Sequence, residues 1–234
     1  MNRLEDLKKE LIKLADPVKA ALLMRFFKTG PGEYGEGDIF LGIMVPQSRQ
    51  LVRKFRDLEL RDIIKLLRTD IHEQRLIALL ILVEKFERGD EMKKKKIFDL
   101  YLKNTDYINN WDLVDLTAPK IVGAYLLNRP RMILYKLVRS RMLWERRIAV
   151  LATATFIREG QFDDILLLSE KLLADKHDLM HKAVGWMLRE VGKRDEKILE
   201  VFLEKFSKRM PRTMLRYSIE KFPQEKRKRI LNNK

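Results

Sequence analysis

The 234-residue chain contains no cysteine. That excludes a disulfide framework, a cysteine-ligated zinc site, an iron–sulfur cluster and a cysteine nucleophile. Glycine (10) and proline (7) are sparse, so few points interrupt regular structure. Long apolar runs are missing too: Leu76–Val83 is far short of the roughly 20 residues that a spanning helix needs. The N-terminal Met1–Glu10 is charged and amphipathic, with no apolar stretch of the signal-peptide kind. No segment shows the strict alternation of a half-buried strand. These absences predict an all-helical, cytoplasmic protein without a membrane partner.

What is present is charge and leucine-rich periodicity. Lys and Arg number 49 against 34 Asp and Glu, a net charge of +15. A surplus of that size favours a polyanionic partner, nucleic acid before an anionic membrane surface. Ile63–Leu67, Ile77–Phe86 and Ile165–Leu173 place apolar residues at helical spacing. Breaks are expected at Gly89-Asp90, Asn128 to Pro130, Gly160, Asp175 and Pro211. Thr29–Gly42 holds five of the ten glycines and reads as an ordered loop. It lacks the Gly-Lys-Ser/Thr ending of a phosphate-binding P-loop, so a structural role is the simpler expectation.

A repeat runs through the chain. Related segments begin at Glu73, Asn110, Glu145 and His181, with a looser one at Thr213. Their markers are Arg75, Trp111, Arg147, Lys182 and Arg216 or Tyr217, spaced by 36, 36, 35 and then 34 or 35 residues. Helix-pair repeats of this length stack into solenoids, because no unit buries its apolar face alone. Equivalent positions would then form one ridge carrying Arg, Trp, Arg and Lys. Asp115 lies one helical turn after Trp111, and Trp186 one turn after Lys182. The expectation is a concave, basic, aromatic-lined groove in a single domain spanning 1–234. Tryptophans packed simply as core residues are the plain alternative, and the shared repeat phase argues against it.

Asp115 is the acid that most needs an explanation. Asn110 is expected to cap a helix, with Asp112 in its first turn, where an acid favours the positive helix end. Asp115 instead shares a face with Trp111, Val114 and Ala118. It either pairs with Arg147 for structure or faces a cationic transition state. His177 and His181, four residues apart, could place two imidazoles on one face, but no third metal ligand is evident. The runs Lys93–Lys96 and Lys226–Arg229 read as solvated faces or nonspecific phosphate contacts.

Three motifs carry a resemblance. They are Asn109-Asn110-Trp111-Asp112-Leu113-Val114-Asp115, Trp144-Glu145-Arg146-Arg147, and Lys182-Ala183-Val184-Gly185-Trp186-Met187-Leu188-Arg189-Glu190. Together they resemble bacterial AlkD-type DNA alkylation repair proteins. Gly35 to Ile43, followed by Pro46, resembles the N-terminal region of that family. The resemblance implies a HEAT-like repeat fold and a glycosylase acting on N3- and N7-alkylated purines in duplex DNA. It implies Asp115 as catalytic acid, Trp111 and Trp186 as sugar-contacting residues, and Arg147 as active-site arginine. Arg75, Lys182, Arg146, Arg189 and Arg216 are the expected DNA contacts. No metal or organic cofactor is implied, and a monomer is expected, since the groove must stay open. One departure stands out: where some relatives carry a tyrosine, this chain reads Met24-Arg25-Phe26-Phe27-Lys28, without the hydroxyl. A non-catalytic solenoid that binds DNA or RNA is the alternative, and a protein-binding scaffold is a third reading. The latter would show little salt dependence toward nucleic acid.

Overall fold

The computed structural model describes residues 3–232; of Met1–Glu10, the first two residues lie outside it. It is all-helical, and among the described residues no strand forms, only an isolated parallel bridge between Ile39 and Ile71. No described helix is long and apolar enough to cross a membrane. Contacts divide the chain into two compact units, with the division between Thr117 and Ala118.

The first unit contains α1 (Arg3–Leu14), α2 (Pro17–Phe26), α3 (Val45–Lys54), α4 (Leu60–Leu67), α5 (His72–Glu87), α6 (Glu91–Leu102) and all but the last residue of α7 (Trp111–Ala118). Its centre is α5, whose residues from His72 through Val83 are all buried. A helix apolar on every side must be packed on every side, and α3, α4 and α6 surround it. The glycine-rich segment between α2 and α3 is indeed a loop. Gly42 there has φ of +85°, and a Cβ would stand 2.2 Å from the Asp16 carbonyl oxygen, so only glycine fits.

The second unit contains a π-helical turn (Pro119–Gly123), α8 (Ala124–Leu126), α9 (Met132–Leu137), α10 (Leu143–Arg158), α11 (Asp163–Lys171), α12 (Asp178–Arg194), α13 (Glu196–Phe206), α14 (Arg212–Ser218) and α15 (Gln224–Asn232). Here the repeat is explicit. Helices α10, α12 and α14 pack in succession, and α11 and α13 each pack against the helix that follows or precedes them. Arg147, Lys182 and Arg216 are each the fifth residue of their helices, so the repeat period maps one turn onto the same turn of the next helix. Arg75 is the fourth residue of α5, and Trp111 opens α7. The expected breaks at Gly89-Asp90, Asn128 to Pro130, Gly160, Asp175 and Pro211 all fall between helices.

Candidate active site and nucleic-acid contacts

In the first unit, Asn110 stands at the start of α7 as expected. Its Oδ1 accepts from the Trp111 amide at 2.8 Å, and its carbonyl accepts from Val114. Trp111 is half-buried. Its indole stacks on Phe27, with ring centres 5.1 Å apart and planes 12° from parallel, and meets the edge of Phe26 at 6.0 Å. Such contacts contribute roughly 0.5–1.5 kcal/mol each beyond area burial, enough to fix the ring's orientation. Phe27 is buried, whereas Phe26 is 63% exposed. The pair of phenylalanines therefore divides the work: one braces Trp111 and the other extends an aromatic surface beside it. Helix α2, which ends at Phe26, buries no residue at all.

Asp115 is half-buried one turn along α7. Beneath the helix, the fully buried Tyr101 hydroxyl meets Thr117 Oγ1 at 2.9 Å, and Thr117 donates to the Leu113 carbonyl. Burial pushes the Tyr101 phenol up, and the nearby Asp115 charge adds to the rise. Tyr101 thus stays a neutral partner of Thr117. Pro119 carries no N–H, so the helical bond to the carbonyl four residues earlier is not made. The chain widens there into the π-helical turn, a local departure often met near functional residues.

The first turn of α7 also contains what the sequence reading missed. Asp112 is buried, and its Oδ2 lies 2.8 Å from His72 Nε2. The other ring nitrogen of His72, Nδ1, lies 3.2 Å from Asp38 Oδ2. Arg75 joins them, with Nη2 at 2.6 Å from Asp38 Oδ1. Arg75, one of the expected DNA contacts, is 4% exposed here and paired with Asp38. Burial raises the Asp38 carboxyl, but the His72 hydrogen bond and the adjacent Arg75 guanidinium outweigh it and hold the group below the usual aspartate range. Burial likewise opposes a charged His72, yet Asp112 and Asp38 prevail and push its pKa up to about 9. A folded value above the free value of 6.5 means stability fully present below that pH and lost as pH rises through about 9. The urea midpoint is therefore expected to decline between pH 6.5 and 9.5, and a flat midpoint would show that His72 is not charged in the fold.

In the second unit, Arg147 is buried and donates to the Leu179 carbonyl at 2.6 Å, reaching the first turn of α12. Trp186 is half-buried, and its Nε1 donates to Glu190 at 3.2 Å. The preceding Gly185 lets α12 and α14 approach: a Cβ there would lie 2.5 Å from both the Met214 carbonyl oxygen and Tyr217 Cβ. Two further expected DNA contacts are tied down. Arg146 binds Asp175 at 2.8 Å and the carbonyls of Ser140 and Arg141, and Arg189 pairs with Glu220. Their guanidinium groups tie loops and helices together within the unit. Lys182 pairs with Asp178 at 2.7 Å near the surface. Arg216 is exposed and lines a polar cleft with Lys182, Thr213, Tyr217 and Arg227. His177 Nδ1 accepts from the Leu179 amide, and His181 Nε2 lies 2.6 Å from the Asp175 carbonyl oxygen. Both imidazoles therefore secure the start of α12, and no cluster of three or more metal-type ligands occurs among the described residues.

The family model for the DNA alkylation repair enzyme matches residues 7–222. No curated protein gives a significant match. Among solved structures, the chain is similar to one described as a predicted DNA alkylation repair enzyme from Enterococcus faecalis, with a TM-score of 0.69 and 16% identity. That similarity covers 90% of this chain and 97% of the other. At such low identity it shows the shared helical fold.

Proposed function

The chain belongs to the DNA alkylation repair enzyme family, and from that membership we propose that it is a glycosylase excising cationic N3- and N7-alkylated purines from duplex DNA. The observation that carries this reading is the half-buried carboxylate of Asp115 one turn from a braced, half-exposed Trp111 on the same helix. Alkylation gives the purine a positive charge, so the base departs neutral with the electrons of its glycosidic bond. Positive character then develops on the sugar, as in other glycoside hydrolysis. Asp115 is suited to stabilise that charge and to take a proton from the water that adds at the anomeric carbon. The electron-rich face of an indole favours cationic character nearby, which suits Trp111. For Trp186 and Arg147 the roles rest on motif resemblance: a second sugar-contacting indole, and an arginine holding a phosphate. Lys182 and Arg216 remain the proposed phosphate contacts.

A cationic leaving group needs little acid assistance, and no step in this scheme calls for a metal. The test is release of free base from duplex DNA carrying N7-methylguanine, measured in EDTA. Release supports the reading. A strict metal requirement would overturn it. No release, with tight and salt-sensitive DNA binding retained, would favour a non-catalytic DNA-binding relative.

A further inference from the structure

The cluster around His72 is used by no step of the proposed chemistry, yet Phe27 links it to Trp111. A neutral imidazole has one N–H donor and one acceptor nitrogen. Here each ring nitrogen faces a carboxylate oxygen, at 2.8 Å for Asp112 and 3.2 Å for Asp38. Ionised carboxylates only accept, so both contacts are satisfied together only when the ring carries both protons. The charges balance: His72 and Arg75 from α5 face Asp38 from the glycine-rich loop and Asp112 from α7. Asn109 and Asn110 add amide donors to Asp38, each at 3.4 Å. Glu73, the remaining charge on this turn of α5, points to the loop amides of Leu41, Gly42 and Ile43. All four members of the quartet are buried.

Two routes lead from this ring to Trp111. Through Asp112 it holds the residue next to Trp111 in the chain. Through space, Phe40 stacks on the imidazole at 4.4 Å, Phe27 leans on it at 5.0 Å, and Phe27 stacks on Trp111. We infer that His72 is a positioning residue: as a buried imidazolium it docks the glycine-rich loop onto the start of α7 and so sets where the Trp111 indole stands. The inference rests on the reading that Trp111 contacts the damaged nucleotide, but its test does not depend on catalysis.

The protonation of His72 is read from long-range proton–nitrogen NMR of its ring, the three histidines being assigned by single substitution. Protein labelled with 5-fluorotryptophan reports Trp111 in the same pH series by fluorine NMR. Two protonated ring nitrogens at pH 8 are expected, with the Trp111 resonance moving at the same midpoint as His72 while Trp144 and Trp186 do not follow it. Asp112→Asn keeps the shape and removes one charge, so both midpoints should fall together by roughly one pH unit or more. A single ring proton on His72 at pH 8 would overturn the inference. So would a Trp111 resonance indifferent to the His72 titration. An Asp112→Asn variant that lowers thermal stability without moving either midpoint would show packing alone. If base release is also measured, its alkaline limb should track the same midpoint. Absence of release with the NMR coupling intact would count against the glycosylase reading and leave the positioning role standing.

Discussion

Asp115→Asn is expected to bind alkylated duplex DNA about as well as the unaltered chain and to lose base release by roughly 10²–10³-fold, the scale of losing one group aimed at developing charge. The amide keeps the size of the carboxylate but neither neutralises a cationic sugar nor takes a proton from water. Asp115 is half-buried, and a thermal midpoint measured alongside activity reports any structural share of the change separately. Single-turnover base release, with affinity measured separately, distinguishes the outcomes. A loss confined to the chemical step supports the assignment. Unchanged release would remove Asp115 from the mechanism. Weakened binding with an unchanged chemical step would place it in the DNA contact alone. Asp112, three residues earlier, is the instructive contrast. It is also an acid at the start of α7, but its Oδ2 is engaged by His72 and buried. The two aspartates of one motif thus separate into an internal tie and a group near the surface.

Much of the helical organisation was legible because its signals are local. Apolar spacing, helix breaks and the recurrence near 35 residues each depend on neighbours along the chain, and the breaks fall where expected. The position of Asp115 beside Trp111 follows from one helical turn. The fates of the arginines did not follow, because their partners are distant in sequence. Arg75 finds Asp38 in a loop that carries no periodic signal. Arg146 and Arg189 find Asp175 and Glu220 at separations of 29 and 31 residues. Arg131 reaches Asp164 across 33 residues and Lys226 reaches Glu196 across 30. These separations approximate the repeat length. In a stacked helical repeat, a basic residue with an acid one period away meets its partner in the neighbouring layer. Repeat phase predicts which turn a residue occupies, but the residues one period away decide whether its charge is spent inside the protein. His72 escaped notice for a related reason: its meaning comes from two acids, 34 residues before it and 40 after.

The second large effect concerns Glu73, whose buried side chain accepts hydrogen bonds from the backbone amides of Leu41, Gly42 and Ile43 at 2.9–3.1 Å. Three consecutive N–H groups converge on one carboxylate because Gly42 adopts positive φ, the geometry of a backbone anion nest. The glycine-rich segment has therefore found its anion inside the chain, which explains why an irregular stretch is ordered. Two neighbouring bonds complete the seal: Ile39 donates to the Asp70 carbonyl, and His72 donates to that of Ile39. Glu73→Ala would leave these amides without an acceptor in a space too closed for ready hydration. Unpaired buried donors cost about 1–3 kcal/mol each, and breaking a buried charged contact about 3–5 kcal/mol. Against a total stability of roughly 5–15 kcal/mol, a loss of about 3–5 kcal/mol is expected in urea unfolding. Glu73→Gln retains one acceptor oxygen but brings an amide donor toward other donors, so an intermediate loss of about 1–3 kcal/mol is expected. Hydrogen exchange should locate the damage first at residues 39–44, since local opening precedes global unfolding. A small stability change with those amides still protected would mean that the loop is held by the His72 and Asp38 side of α5 alone. Large losses graded from Ala to Gln would instead show that the first turn of α5 grips the loop with both adjacent residues, His72 through charge and Glu73 through the nest.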